Sequence, residues 1–250
     1  MSITRQPLPG SKLLRLTHRE RIDWHDHAEH QLVYPSSGIL RVSTSVGSWV
    51  VPPQRAVWLP AEVAHTHQAH GATQMRSLAF PAEVNPLGLI QPTVLSVSAL
   101  LRELIVALTD ERTLTADERA DLQRVALRQL APAPAVRLHL PHPTDARLRD
   151  VAAILADHPG DERTLAELGR AVGAGERTLS RLFRRETGMS FPQWRAQLRL
   201  HHSLTLLATG QSVTTSAVTC GYRNPSAFIA AFREAFGTTP AAYQRQLRQP

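Results

Sequence analysis

Residues 164–190 read TLAELGRAVGAGERTLSRLFRRETGMS, and residues 212–240 read SVTTSAVTCGYRNPSAFIAAFREAFGTTP. The two segments share one pattern. Gly173 aligns with Gly221 at an offset of 48, and Leu179, Phe183 and Gly188 align with Phe228, Phe232 and Gly237 at an offset of 49. Each copy reads helix, tight Gly turn, helix, Gly stop, the signature of a helix-turn-helix unit. One match is weak, because helix–Gly–helix is common. Two in tandem, joined by the helical stretch FPQWRAQLRLHHSLTLLA, are a strong signal.

The second helix of each copy is the expected recognition helix, with its first turns aimed at base edges in the major groove of double-stranded DNA. In the first copy Leu179, Leu182 and Phe183 form the core stripe, leaving Arg177, Ser180, Arg181 and Arg184 to face DNA. In the second copy Asn224 is the predicted N-cap and Pro225 the first helical residue. Phe228 and Phe232 are core, and Ser226, Ala227, Ala230 and Arg233 face outward. Direct base readout is therefore expected mainly from the first helix. The second adds phosphate contacts through Arg223 and Arg233, with Asn224 and Ser226 at its N-terminal end. Charge agrees: from Arg163 onward there are 12 arginines against 4 acidic residues, which suits a polyanionic partner.

Upstream, APAPAVRLHLPHP (131–143) reads as a stiff Pro-rich linker. Before it, VLSVSALLRELIVALTD carries apolar residues at Val97, Leu100, Leu101, Leu104, Ile105 and Leu108, a helical stripe. That stripe is either a dimer face or packing against the chain's own N-terminal region. A second helix opens with Thr115 and Glu118 in capping-box spacing. Residues 13–80 read as short strands between Gly, Pro and Ser, with Gly38, Gly47 and Gly71 marking turns, which suggests an antiparallel sandwich or barrel. The domains expected are 1–85, a sensor; 86–130, helical and dimerising; 131–143, the linker; and 144–250, DNA-binding.

The N-terminal region also holds WHDHAEHQ, residues 24–31. Alternate strand residues share a face, so His25 and His27 project together, as do His65 and His67. His30 falls on the other parity.

The C-terminal pattern resembles the DNA-binding domain of AraC/XylS-type transcription regulators. The resemblance covers residues 144–247 and rests on the spacing of Gly173, Leu179, Phe183, Gly188, Trp194, Arg199, Gly210, Gly221, Tyr222, Phe228, Phe232, Gly237, Pro240 and Tyr243. It implies seven helices and two recognition helices in successive major grooves. Gly175 departs from it where a Ser cap is common, and Ala230 where Arg is frequent. The N-terminal region resembles the cupin sensor domain of such regulators. The first cupin motif reads His25-x-His27, three residues, Gln31, six residues, Gly38; the second reads Pro60-x-Glu62-x-x-His65. Gln31 replaces Glu, Glu62 replaces Gly, and Arg19 stands at the opening Gly. Residues 49–67 further resemble a subgroup associated with transporter genes.

The resemblance implies that His25, His27, Gln31 and His65 converge, with His30 and His67 behind them or exposed and Glu29 a substitute ligand in another register. Three imidazoles and an oxygen suit a divalent transition metal: Zn, Ni, Co, Fe or Mn. The competing reading is a metal-free pocket for a small-molecule effector. The fold class expected is multidomain α+β: a cupin-like β-barrel, a helical linker and an all-α domain with two helix-turn-helix units. The function expected is a sequence-specific transcription regulator and not an enzyme, acting as a cytoplasmic homodimer with RNA polymerase as a further partner and no membrane association. A cupin metalloenzyme of dioxygenase or isomerase type, fused to a DNA-binding module, is the alternative. One cysteine, Cys220, excludes an internal disulfide.

Overall fold

The computed structural model describes residues 3–5, 8, 10–110, 114–132 and 139–248, with side chains described to residue 245. The chain divides into two compact units, one of residues 1–44 and 50–135, the other of residues 45–49 and 136–249. Residues 133–138 of the expected linker lie outside the described residues.

The first unit is built on strands β1 (Thr4–Arg5), β2 (Lys12–Leu16), β3 (Arg21–Asp26), β4 (His30–Thr44), β6 (Arg55–Leu59), β7 (His65–Phe80), β8 (Thr93–Ser96) and β9 (Ala131–Pro132), with helices α1 (Ala99–Thr109) and α2 (Ala116–Arg128), while strand β5 (Gly47–Val51) has Gly47–Trp49 in the second unit and Val50–Val51 in the first. Two strands are much longer than the spacing of turn residues suggests. β4 and β7 run 15 and 16 residues and pair antiparallel from His30↔Phe80 to Thr44↔His65. Gly38 and Gly71, read from sequence as turns, lie inside these strands. They adopt φ of 75° and 81° where the register shifts. A Cβ on Gly38 would overlap the Ala72 carbonyl and Thr73. Glycine therefore bends the ribbon here instead of ending it.

The strand path β1-β3-β7-β4-β6-β8-β9 does not return on itself, with β2 added beside β7. Among the described residues the sheet is open, and its pairing does not close into the barrel expected from sequence. The first unit is sheet-rich and the second helical.

The amphipathic stripe of α1 packs on its own sheet. Leu101, Leu104, Ile105 and Leu108 join Leu32, Tyr34, Trp58, Phe80 and Leu95 in one buried cluster, to which α2 adds Ala126. These four residues are thus covered within the chain, and Leu100 remains exposed. A buried arginine fixes the end of α1. Arg76 of β7 donates to Thr109 Oγ1 at 2.6 Å, to Asp110 Oδ1 at 2.7 Å and, through Nε, to Ser36 Oγ at 3.2 Å. The predicted capping box of Thr115 and Glu118 forms at the start of α2.

The second unit contains strand β10 (His139–Pro141) and helices α3 (Ala146–Asp157), α4 (Leu165–Ala171), α5 (Glu176–Thr187), α6 (Phe191–Ala208), α7 (Val213–Thr219), α8 (Pro225–Phe236) and α9 (Pro240–Arg248). Among the described residues this unit thus holds seven helices, the number the resemblance implies. α5 and α8 both end on a left-handed glycine, Gly188 at φ 70° and Gly237 at φ 71°. The repeat also shows in the core. Leu179 and Phe183 are fully buried with Phe191 and Trp194 around α3–α6. Their counterparts Phe228 and Phe232 are fully buried against Tyr222, Phe236 and Tyr243. Arg199 of α6 ties the two halves, donating to the carbonyls of Pro159, Asp161 and Gly221 at 2.9–3.2 Å.

Gly38→Ala is expected to cost about 2 kcal/mol or more, because the new methyl meets strand backbone at a left-handed φ. Urea unfolding followed by circular dichroism measures it.

Candidate functional site

The histidine cluster of the first unit lies where β3 pairs with β7. His25 and His65 are register partners, with ring centroids 4.3 Å apart. His27 follows β3 and sits 5.0 Å from the His65 ring. All three are buried, and one nitrogen from each lies within 4.8 Å of the others. These atoms must draw in further to share one ion at the ~2.0–2.1 Å of a metal–imidazole bond.

The local backbone sets the tautomers. His25 Nδ1 is 2.7 Å from the Asp23 carbonyl, His27 Nδ1 is 2.8 Å from that of Glu29, and His65 Nδ1 is 2.7 Å from that of Val63. A carbonyl only accepts, so each Nδ1 carries a proton, and in the neutral ring Nε2 is then the nitrogen that presents a lone pair. Metal-binding histidines are held in this way. His65 Nε2 is buried without a partner among the described residues. Burial pushes the His65 imidazole down to about 3 and lowers that of His27. Both are therefore neutral at pH 7, as ligands must be.

Gln31 joins the group. Its Oε1 lies 3.2 Å from His27 Nε2, and its Nε2 donates to Ser77 Oγ at 2.8 Å. With the His27 proton on Nδ1, this contact sets two acceptors face to face. A cation shared by both atoms satisfies them. Turning the amide over does so too, by donating to His27 and accepting from Ser77.

Of the two places expected for His30 and His67, behind the ligands or exposed, both side chains take a buried one. His30 is structural: Nε2 bonds the Ala82 carbonyl at 2.9 Å and Nδ1 accepts from the Ala61 amide at 2.9 Å. His67 is 1% exposed and lies 4.9 Å from the His65 ring, with both nitrogens lacking a hydrogen-bond partner among the described residues. Its alternation with His65 was visible in sequence, but its burial against the cluster was not. Glu29 is outside the cluster and serves it through its backbone carbonyl.

The two motif positions that lost glycine keep glycine's backbone. Arg19 has φ 67° and Glu62 φ 65°, a region that costs ordinary residues about 1–2 kcal/mol. Each is tied by its amide: Arg19 N–H donates to the Ala69 carbonyl, and Glu62 N–H to that of His27. The Glu62 bond ties the loop before β7 to the His27 backbone.

In the second unit, Arg177, Arg181 and Arg184 are exposed along α5, with Ser180 half-buried. Gly175 gives α5 no side-chain cap. On α8, Ser226, Ala227, Ala230 and Arg233 are exposed, as is Arg223 in the preceding turn. Asn224 is the N-cap as predicted, its Oδ1 accepting from the Ala227 amide at 2.8 Å. Ile229 also reaches the surface of α8.

Residues 168–246 match the family described as helix-turn-helix domain. The HTH-type transcriptional regulator NimR of Escherichia coli strain K12 is 33% identical over 231 residues, covering 89% of this chain and 82% of NimR. The chain belongs to the AraC/XylS family of transcription regulators. The regulator is also 36% identical over 103 residues to RipA of Corynebacterium glutamicum, covering 41% of this chain and 31% of RipA. The crystal structure of ToxT from Vibrio cholerae O395 is 11% identical over 96% of this chain and 98% of ToxT, at a TM-score of 0.44. As a member of this family the chain is a DNA-binding transcription regulator and not an enzyme. No helix among the described residues is long and apolar enough to cross a membrane.

The neutral histidines give a signed pH dependence. Between 6.5 and about 3 the unfolded chain binds protons that folded His65 refuses. Stability is therefore full above pH 6.5 and lost as pH falls, by up to about 1.4 kcal/mol per unit for each such histidine. Urea midpoints of metal-free protein should drop from pH 7 to 5.5, and His65→Gln should flatten that slope.

Proposed function

We propose that the regulator couples a metal- or ligand-occupied N-terminal sensor to sequence-specific binding of double-stranded DNA. The observation that carries this reading is the presence in one chain of two features. One is a buried set of imidazoles with unprotonated Nε2 atoms turned together. The other is the helix–Gly turn–helix pattern repeated at α4–α5 and α7–α8, in which α5 exposes four arginines, Arg177, Arg181, Arg184 and Arg185.

In this reading the first unit is cupin-like. His25, His27 and His65, with Gln31 as oxygen donor, hold a divalent transition ion from the group Zn, Ni, Co, Fe and Mn. Such an ion supplies a Lewis-acidic point for an anionic or carbonyl-bearing effector. The chain's own work is to keep the donors neutral and their Nδ1 protons on backbone carbonyls. A second reading, favoured if the Gln31 amide is turned over, is a metal-free pocket whose histidines bond a small organic effector directly. Either occupant switches DNA binding only by preferring one of two states of the chain.

On the DNA side, Arg177, Ser180, Arg181 and Arg184 of α5 read bases or grip phosphate, while Arg223, Asn224, Ser226 and Arg233 place α8 on the backbone. The regulator acts as a cytoplasmic homodimer. Since Leu101, Leu104, Ile105 and Leu108 of the α1 stripe are internal, its contact uses what remains exposed, such as Leu100 of the stripe and Val125 of α2, 52% and 41% exposed. RNA polymerase is a further partner, and a neighbouring transporter gene is the target suggested by residues 49–67.

Metal analysis of protein purified without a His-tag should find one transition ion per chain, a melting temperature lowered by chelator, and neither in His65→Ala. A metal-free preparation indifferent to chelator favours the organic effector. For DNA, Arg181→Ala should cost about 1–3 kcal/mol at a single operator position and relax discrimination there, whereas Arg223→Ala should weaken all sequences alike. Binding isotherms across single-base operator variants separate the two. Uniform loss from both removes Arg181 as a base reader.

A further inference from the structure

The repeat permits a position-by-position comparison of the two second helices. At an offset of 49, Arg177, Ser180, Arg181 and Arg184 of α5 correspond to Ser226, Ile229, Ala230 and Arg233 of α8. These four α8 residues, with Glu234 and Thr239, line one open hollow on the surface of the second unit. The equivalent surface is therefore rich in guanidinium donors on α5 and largely apolar on α8. Ile229 is 36% exposed there, and Ala227 and Ala230 are exposed on the same helix.

We infer that this hollow receives the 5-methyl group of thymine, so that Ile229 and Ala230 make the second helix a reader of T·A pairs. The inference rests on the DNA-binding reading above. Thymine's methyl is the one apolar group that an unmodified base pair shows in the major groove, and small aliphatic side chains are its natural contacts. Against a guanine or cytosine edge the same residues would strip water from base polar groups and return no hydrogen bond, which is unfavourable. The patch thus selects by matching one base and by penalising others. Its setting fits DNA as occupant. Arg233, which lines the hollow beside Glu234, and Arg223, in the turn before α8, are both exposed and can supply phosphate contacts. The whole region from Arg163 carries 12 arginines against 4 acidic residues.

The test uses the full chain and the tightest duplex that it selects from a randomised pool. Each thymine is replaced in turn by deoxyuridine, which removes the methyl and keeps O4. Wild-type protein should lose about 3- to 5-fold in affinity at one or two thymines, the value of one buried methyl. An Ile229→Ser/Ala230→Ser protein, its fold checked by circular dichroism, should bind thymine and deoxyuridine duplexes equally at those positions. Arg181→Ala should leave the deoxyuridine profile unchanged. Selection of a duplex with no deoxyuridine effect overturns the inference and leaves DNA binding standing, with the patch then free for a protein partner. A deoxyuridine effect that survives in the double variant also overturns it, since another side chain would hold the methyl. Failure of wild-type protein to select any duplex defeats the DNA-binding reading itself.

Discussion

The N-terminal unit depends on one long antiparallel pairing, β4 with β7, bent where only glycine fits. At Gly38 the strand passes so close to Ala72 and Thr73 that no side chain has room, and φ is left-handed. Everything around the histidines is hung on that ribbon. One half of β7 carries β3, and with it the pairing of His25 with His65. The other half carries β2, and the outer flank of β4 carries β6 and then β8. The helices close over the same sheet, with Arg76 of β7 holding the end of α1 through Thr109 and Asp110.

The histidine site shows how ordinary backbone bonds prepare unusual chemistry. Three carbonyls, of Asp23, Glu29 and Val63, each take an Nδ1 proton from a histidine two residues away along the chain. Burial then keeps the His27 and His65 rings neutral. The result is a set of lone pairs turned toward a common space, and nothing in it requires a charged group. The same economy holds at Arg19 and Glu62. Their side chains depart from the motif, yet their backbones keep a glycine-like φ because amide bonds to Ala69 and His27 hold them there.

The helical unit was largely legible in sequence. Its caps, glycine stops and core stripe are set by residues three or four apart, and such local relations survive in any tertiary context. The Thr164–Glu167 and Ser190–Gln193 capping boxes, the Asn224 cap and the paired glycines Gly188 and Gly237 follow this rule. In the first unit less was legible. A glycine inside a strand looks like a turn until its partner strand is known, so β4 and β7 read as shorter pieces. Parity showed that His30 faces away and that His67 shares a side with His65, but not that His67 would be buried beside the cluster. The α1 stripe has the same 3.6-residue period whether it covers its own sheet or a second copy, and periodicity cannot tell which.

Local chemistry written in sequence therefore determined the tandem helical repeat, the position of each cap, the arginine-rich face of α5 and the alternation that groups His25 with His27 and His65 with His67. Tertiary structure alone decided that the sheet stays open, that His25 and His65 become neighbours, that Gln31 faces His27, and that the α1 stripe is spent inside the chain. The division has a physical reason. Helix signals act over a few residues, whereas strand pairing and burial join residues as far apart as His25 and His65, whose meeting depends on the whole path between them.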